Sequence, residues 1–247
     1  MKLNKRQLII IIFLLFILLA SILVRYKISN NEEDENKSFP DQGLEKNIRK
    51  TLNKQTGKIT KEALKGIIVL KATYPKLSNL EGIQYLVNLE KLYLTSNRIK
   101  DLKPLVKLNK LKLLDLENNK IKDLTPLQNI TSLEKLDLSD NQIKDISPLE
   151  GLINLKVLEI AHNQIEDLTP ISNLSNLRYL TAYGNEISDV TPLKGLINIR
   201  RLDLAHNKIQ DVSPLSQLSK LQTVLLDANP IKDYSPLEKL KDCEIIK

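Results

Sequence analysis

One sentence of 22 residues, written eight times without an insertion, constrains this chain more than any other feature. The units begin at Gly66, Asn88, Lys110, Ser132, Asn154, Asn176, Asn198 and Lys220, and follow x-L-x-x-L-x-L-x-x-N-x-I-x-D-L-x-P-L-x-x-L-x. A fixed period of this length marks a solenoid, in which each unit is one coil and no coil buries its own apolar face. The L-x-L alternation has the period of a strand. The fifth and seventh residues then face the core, and the fourth, sixth and eighth face away from it.

The other fixed positions complete the coil. The tenth residue is Asn from Asn97 to Asn229, with Pro75 in the first unit. An amide both donates and accepts, so a stack of them can satisfy the backbone groups of a buried turn. The fourteenth is Asp from Asp101 to Asp233, suited to capping a short helical turn. The seventeenth is Pro from Pro104 to Pro236, which fits an early helical position and limits the helix. Seven aspartates in one architectural slot read as caps, not as acid–base or metal chemistry.

Two departures stand out. The first unit has Asn79 and Gly82 where the others have Asp and Pro. The sixth has Ala182 in a Leu slot and Gly184 beside Asn185, a break of the kind that accompanies function.

The whole resembles a leucine-rich repeat protein of the 22-residue class, and most closely the internalin type of bacterial surface proteins, over residues 41–247. The resemblance implies an α/β repeat solenoid. This is a right-handed leucine-rich repeat coil, with a parallel β-sheet on its concave face, short 3₁₀ segments on its convex face and an N-terminal helical cap. Residues 41–65 fit the cap: Leu44, Ile48 and Leu52 share one helix face, with Asp41 as N-cap. Residues 66–247 form the repeat domain, eight units and a truncated ninth, with Cys243 and Ile246 in its second and fifth slots. Neither an immunoglobulin-like domain nor an LPxTG sorting sequence is seen. Both are frequent in internalins, so covalent wall attachment is not expected.

Charge is concentrated at the start. The chain carries 37 Lys and Arg against 30 Asp and Glu, but residues 1–27 hold five bases and no acid. The remainder is nearly neutral, which gives no footprint for nucleic acid. Residues 8–24 are an unbroken apolar or weakly polar run of 17. A spanning helix needs about 17–25 residues, and a small-x-small cleavage site is poorly matched here. Residues 1–27 are therefore expected to be a signal-anchor crossing the cell membrane once. Lys2, Lys5 and Arg6 hold the N-terminus in the cytoplasm, and the repeats lie outside. A cleaved signal and a secreted body are the alternative. Residues 28–40, polar and acidic, read as a flexible linker.

The candidate ligand-binding residues lie on the expected concave face. One group is an acidic ladder, Asp115, Asp137, Glu159 and Asp203. The other is a patch of Val157, Tyr179 and Tyr183 with His162 and His206 at position nine. Tyr is favoured at binding hot spots. The two histidines sit two coils apart, roughly 10 Å, too far for one metal ion. The sequence holds no nucleophile–base set, metal cluster or phosphate loop, so no enzyme activity, cofactor or metal is expected. The expected function is a monomeric protein-binding module. The competing reading is an intracellular or secreted regulator that clamps an enzyme, as similar regulatory subunits of protein phosphatase 1 do.

Overall fold

A computed structural model describes residues 14–23, 37–73 and 76–247. Nine strands form one parallel sheet in strict chain order. They are β1 (Val69–Lys71), β2 (Lys91–Tyr93), β3 (Leu113–Asp115), β4 (Lys135–Asp137), β5 (Val157–Glu159), β6 (Tyr179–Thr181), β7 (Arg201–Asp203), β8 (Thr223–Leu225) and β9 (Glu244–Ile246). Each strand is three residues long, because only positions four to six of a unit lie flat before the chain turns. The register from β1 to β8 is 22 residues throughout, for example Leu92↔Leu114 and Leu158↔Leu180. The repeat length is thus the hydrogen-bond register of the sheet.

The Leu and Ile slots of successive coils merge into one core that runs the length of the solenoid. Leu92, Ile99, Leu105 and Leu108 of one coil are each wholly buried. Across the core from the strands lie eight 3₁₀ turns, from Ile83–Tyr85 to Ser235–Lys239. Proline sits in the first two positions of the last seven. The position-fourteen carboxylate caps each of these turns from just before its start. Asp101 Oδ1 accepts from the Lys103 N–H at 2.9 Å and Asp145 Oδ1 from the Ser147 N–H at 2.8 Å.

The amide ladder forms between coils as well as within them. Asn141 Nδ2 lies 3.0–3.1 Å from the carbonyls of Leu138 and Ser139 in its own coil and Leu116 in the coil before. Its Oδ1 accepts from the Ile121 N–H at 2.9 Å. Asn97, Asn119, Asn163, Asn185, Asn207 and Asn229 repeat the pattern.

Helix α1 (Gln42–Thr51) closes the N-terminal end, burying Leu44 and Ile48. Asp41 joins it to the first coil. One carboxylate oxygen caps the helix at the Gly43 and Leu44 N–H groups, and the other accepts from the Ser78 and Asn79 N–H groups. A second short helix, α2 (Lys61–Lys65), capped by Thr60, follows; no pattern in the sequence had marked it. Gly82 stands in place of Pro for a steric reason. Its φ is +100°, and a Cβ there would strike the Phe39 ring.

The last coil departs from its expected register. Glu244 pairs with Thr223, one residue short of the period. A single residue separates Cys243 from the inward slot, so Ile245 points towards the core and Ile246 is exposed. A one-residue slip exchanges the two faces of a strand. The predicted membrane segment, residues 8–24, lies in part outside the described residues, and so does much of the predicted linker. Residues 14–23 are helical, and no helix among the described residues is long and apolar enough to cross a membrane.

Candidate functional site on the strand-lined face

The alternation of buried and open residues along the strands puts positions four and six on the concave face, as the spacing predicts. Asp115, Asp137 and Glu159 lie side by side on β3, β4 and β5. Asp203 does not join them, because Thr181 on β6 intervenes. The ladder is therefore a group of three with one outlier.

The three carboxylates are not equivalent. Asp137 is buried, and burial together with a hydrogen bond to Glu159 pushes its pKa up to about 7. Below about pH 7 Asp137 can therefore keep a proton to share with Glu159, and Glu159 is held below the usual carboxylate range by that bond and by Lys135. Lys135 Nζ is 2.9 Å from Glu159 Oε1. Asp203 is raised by burial, against the Ala205 N–H that favours its charge.

Glu117, at position eight beside Asp115, escaped the sequence reading although it lies between two ladder residues. The carboxylates of Asp115, Glu117 and Asp137 converge within 4.8 Å of one another, the one such group among the described residues. Burial and the charge of Asp115 raise the Glu117 carboxyl. Protein partners account for much of this cluster. Asp115 Oδ1 accepts from Thr95 Oγ1 and the Glu117 N–H, and Asp137 Oδ1 accepts from the Ser139 N–H.

The aromatic patch divides into two. Tyr179 stands 43% exposed on β6, in register between Val157 and Arg201. Tyr183 is four residues further on, roughly 13 Å along an extended chain, beyond the strand. There its ring is gripped edge-on between His162 and His206, with centroid separations of 4.6 and 4.9 Å. Ala161 and Ala205, its neighbours in the adjoining coils, are buried. The histidines flank a tyrosine, which confirms their separation. His206 Nε2 also lies 3.9 Å from Asp227.

Position nine has a backbone explanation that the sequence reading missed. Ser96, Asn118, Asp140, His162, His206 and Ala228 all have φ between +50° and +58°. Gly184 occupies the same slot at φ +65°, where glycine is the unstrained choice. A Cβ there would lie 2.9 Å from His162 Nδ1. Gly184 is therefore a conformational fit that makes room for the histidine, and not in itself a functional departure. The frequency of Asn, Asp, His and Gly at this position was the available signal.

Comparison with known proteins agrees with the fold. A family profile described as leucine-rich repeats (2 copies) matches residues 87–129, 131–173, 153–195, 175–217 and 197–239. The structure is similar to an internalin, InlF, from Listeria monocytogenes, with TM-score 0.82 and 38% identity, covering 84% of this chain and 63% of that one. It is also similar to internalin C2 from the same organism, with TM-score 0.82 and 39% identity, covering 85% of this chain and 93% of that one. A leucine-rich repeat protein of Leptospira interrogans matches with TM-score 0.56 and 26% identity, covering 68% of this chain and 51% of that one. Among curated protein sequences nothing matches.

Proposed function

Because the chain belongs to the leucine-rich repeat family and to its internalin type, we propose that it is a non-catalytic binding module that captures a protein ligand on its concave face. We propose further that residues 8–24 anchor it in a bacterial cell membrane, with the repeats outside. One observation carries the binding reading: Tyr179 is an exposed aromatic beside Val157, next to the acidic group of Asp115, Asp137 and Glu159 on the strand face. A large exposed ring with an apolar neighbour is the composition of a hot spot. Of the adjoining ladder, Glu159 and Asp115 favour a ligand that presents basic groups beside its apolar contact, while Asp137 is buried and bonded to Glu159. The anchor rests on the unbroken apolar run and the basic residues before it.

The test uses intact cells with any outer wall opened. Cells bearing the parent chain should capture the ligand, and external protease should remove both the repeat body and the capture. Tyr179→Ser with Tyr183→Ser should lower capture at least tenfold, the scale of one or two hot-spot residues. Capture unaltered by this double change refutes the patch. A body protected until lysis refutes surface display, and a body found in the medium makes the protein a secreted binder.

A further inference from the structure

One strongly charged surface takes no part in the concave face. After the position-nine turn, residues ten to thirteen of coils two to seven run down one flank, with ten and twelve buried and eleven and thirteen more open. Coils are hydrogen-bonded here too. The Lys120 N–H donates to the Ile99 carbonyl at 2.9 Å and the Gln142 N–H to that of Ile121 at 3.0 Å. Positions eleven and thirteen therefore form two columns with one side chain every 5 Å or so. In coils two to four these columns carry Arg98, Lys100, Lys120, Lys122 and Lys144, all exposed. In coils five and six the same slots turn neutral or acidic, with Gln164, Glu166, Glu186 and Ser188, before lysine returns at Lys208 and Lys232.

This flank lacks what balances lysines elsewhere on the molecule. On the opposite flank Lys112 pairs with Glu90 and Lys156 with Glu134, each one coil back. On the basic flank itself Lys208 pairs with Glu186 in the same way, but only beyond the cationic stretch. None of the five cations makes an ion pair among the described residues. The nearest acids in sequence, Asp101, Asp123 and Asp145, accept from backbone N–H groups of their own turns. Like charges stacked in register repel one another. The surface is also concave: Lys100, Lys120, Lys122 and Asp123 line one shallow depression with Gln142, and Lys122 and Gln142 continue into the next with Lys144, Asp145 and Gln164.

We propose that this groove binds a linear phosphate polymer lying along the solenoid axis from Arg98 to Lys144. A row of cations about 5 Å apart is matched by a chain that carries a charge every few ångströms, and its binding releases counterions. The groove residues are Lys, Gln and Asp with no aromatic ring, so nothing there stacks a nucleobase. No exposed apolar side chain lines it, as insertion into a lipid surface would require. The site is independent of the concave face, so Tyr179→Ser with Tyr183→Ser leaves it intact.

The experiment measures binding of labelled long-chain inorganic polyphosphate to the full chain by fluorescence anisotropy, at salt concentrations from about 50 to 200 mM. Lys100→Gln, Lys122→Gln and Lys144→Gln together should weaken binding at least about tenfold and flatten the salt dependence. Lys110→Gln, Lys112→Gln and Lys156→Gln together remove the same charge from the opposite flank, and should change binding less than about twofold. The single change Lys122→Glu, expected to weaken binding as well, provides a second reading if the triple variant folds poorly. Equal losses on both flanks, or no polyphosphate binding by the parent chain, overturn the proposal. So does a groove variant that keeps its polyphosphate binding and loses binding to phosphatidylglycerol vesicles, which would assign the lysines to a lipid surface.

Discussion

Position in the coil, and not residue type, decides what a carboxylate does here. Asp123 at position fourteen is drawn below its usual pKa by the Thr125 hydroxyl and N–H. Asp137 at position six is pushed up to about 7 by burial and Glu159. An unfolded aspartate titrates near 4, at about 3.9, so the folded chain holds a proton that the unfolded chain releases. The contribution of Asp137 to stability is therefore complete below about pH 4 and is lost as the pH rises through about 7. Glu159, with its lowered pKa, acts in the opposite sense and at lower pH. Asp137→Asn keeps a donor for Glu159 and an acceptor for the Ser139 N–H. It should melt several degrees above the parent at pH 8, with the gap closing towards pH 4. Thermal unfolding followed by circular dichroism at several pH values checks this, and a gap independent of pH would show that Asp137 folds as a carboxylate.

At the scale of the coil, the joint between neighbours is the asparagine amide. Asn141→Ala strips hydrogen bonds from the Ile121 N–H and from the carbonyls of Leu116, Leu138 and Ser139. Leaving buried backbone groups unpaired costs about 1–3 kcal/mol each, less where water enters. The substitution should therefore destabilise the chain by about 2–5 kcal/mol, read from urea unfolding. Asn118→Ala, at an exposed left-handed position one residue before a ladder amide, should cost far less. The sequence identified the ladder because the residue recurs at one slot. It did not identify helix α2, whose five residues are too few to show a period, nor the slip in the last coil, where no later unit fixes the register.

For the whole molecule, each coil touches only its neighbours, so stability is nearly a sum over coils and their joints. The N-terminal end is sealed by α1, whereas β9 forms the open edge of the sheet and Ile231, Tyr234, Leu240 and Ile245 are only partly buried near it. Native-state hydrogen exchange should find the slowest amides in β3 to β6 and the fastest strand amides in β9. Protection as high in β9 as in β4 would mean that the last coil is covered in solution. The sequence by itself determined the coil, the parallel sheet, the core positions, the amide ladder and the face that each strand residue of the first eight coils occupies, because each follows from a period of 22 and an alternation of two. Thr181, which parts Asp203 from the ladder, was likewise already legible at position six of the sixth unit. Only the tertiary structure decided that Asp137 is buried against Glu159, which raises its pKa, and that Tyr183 is held between two histidines. It alone showed that Gly184 answers to its backbone. These depend on backbone dihedrals, on the size of neighbours one coil away and on how deeply a side chain sits above the sheet, none of which a repeat pattern encodes.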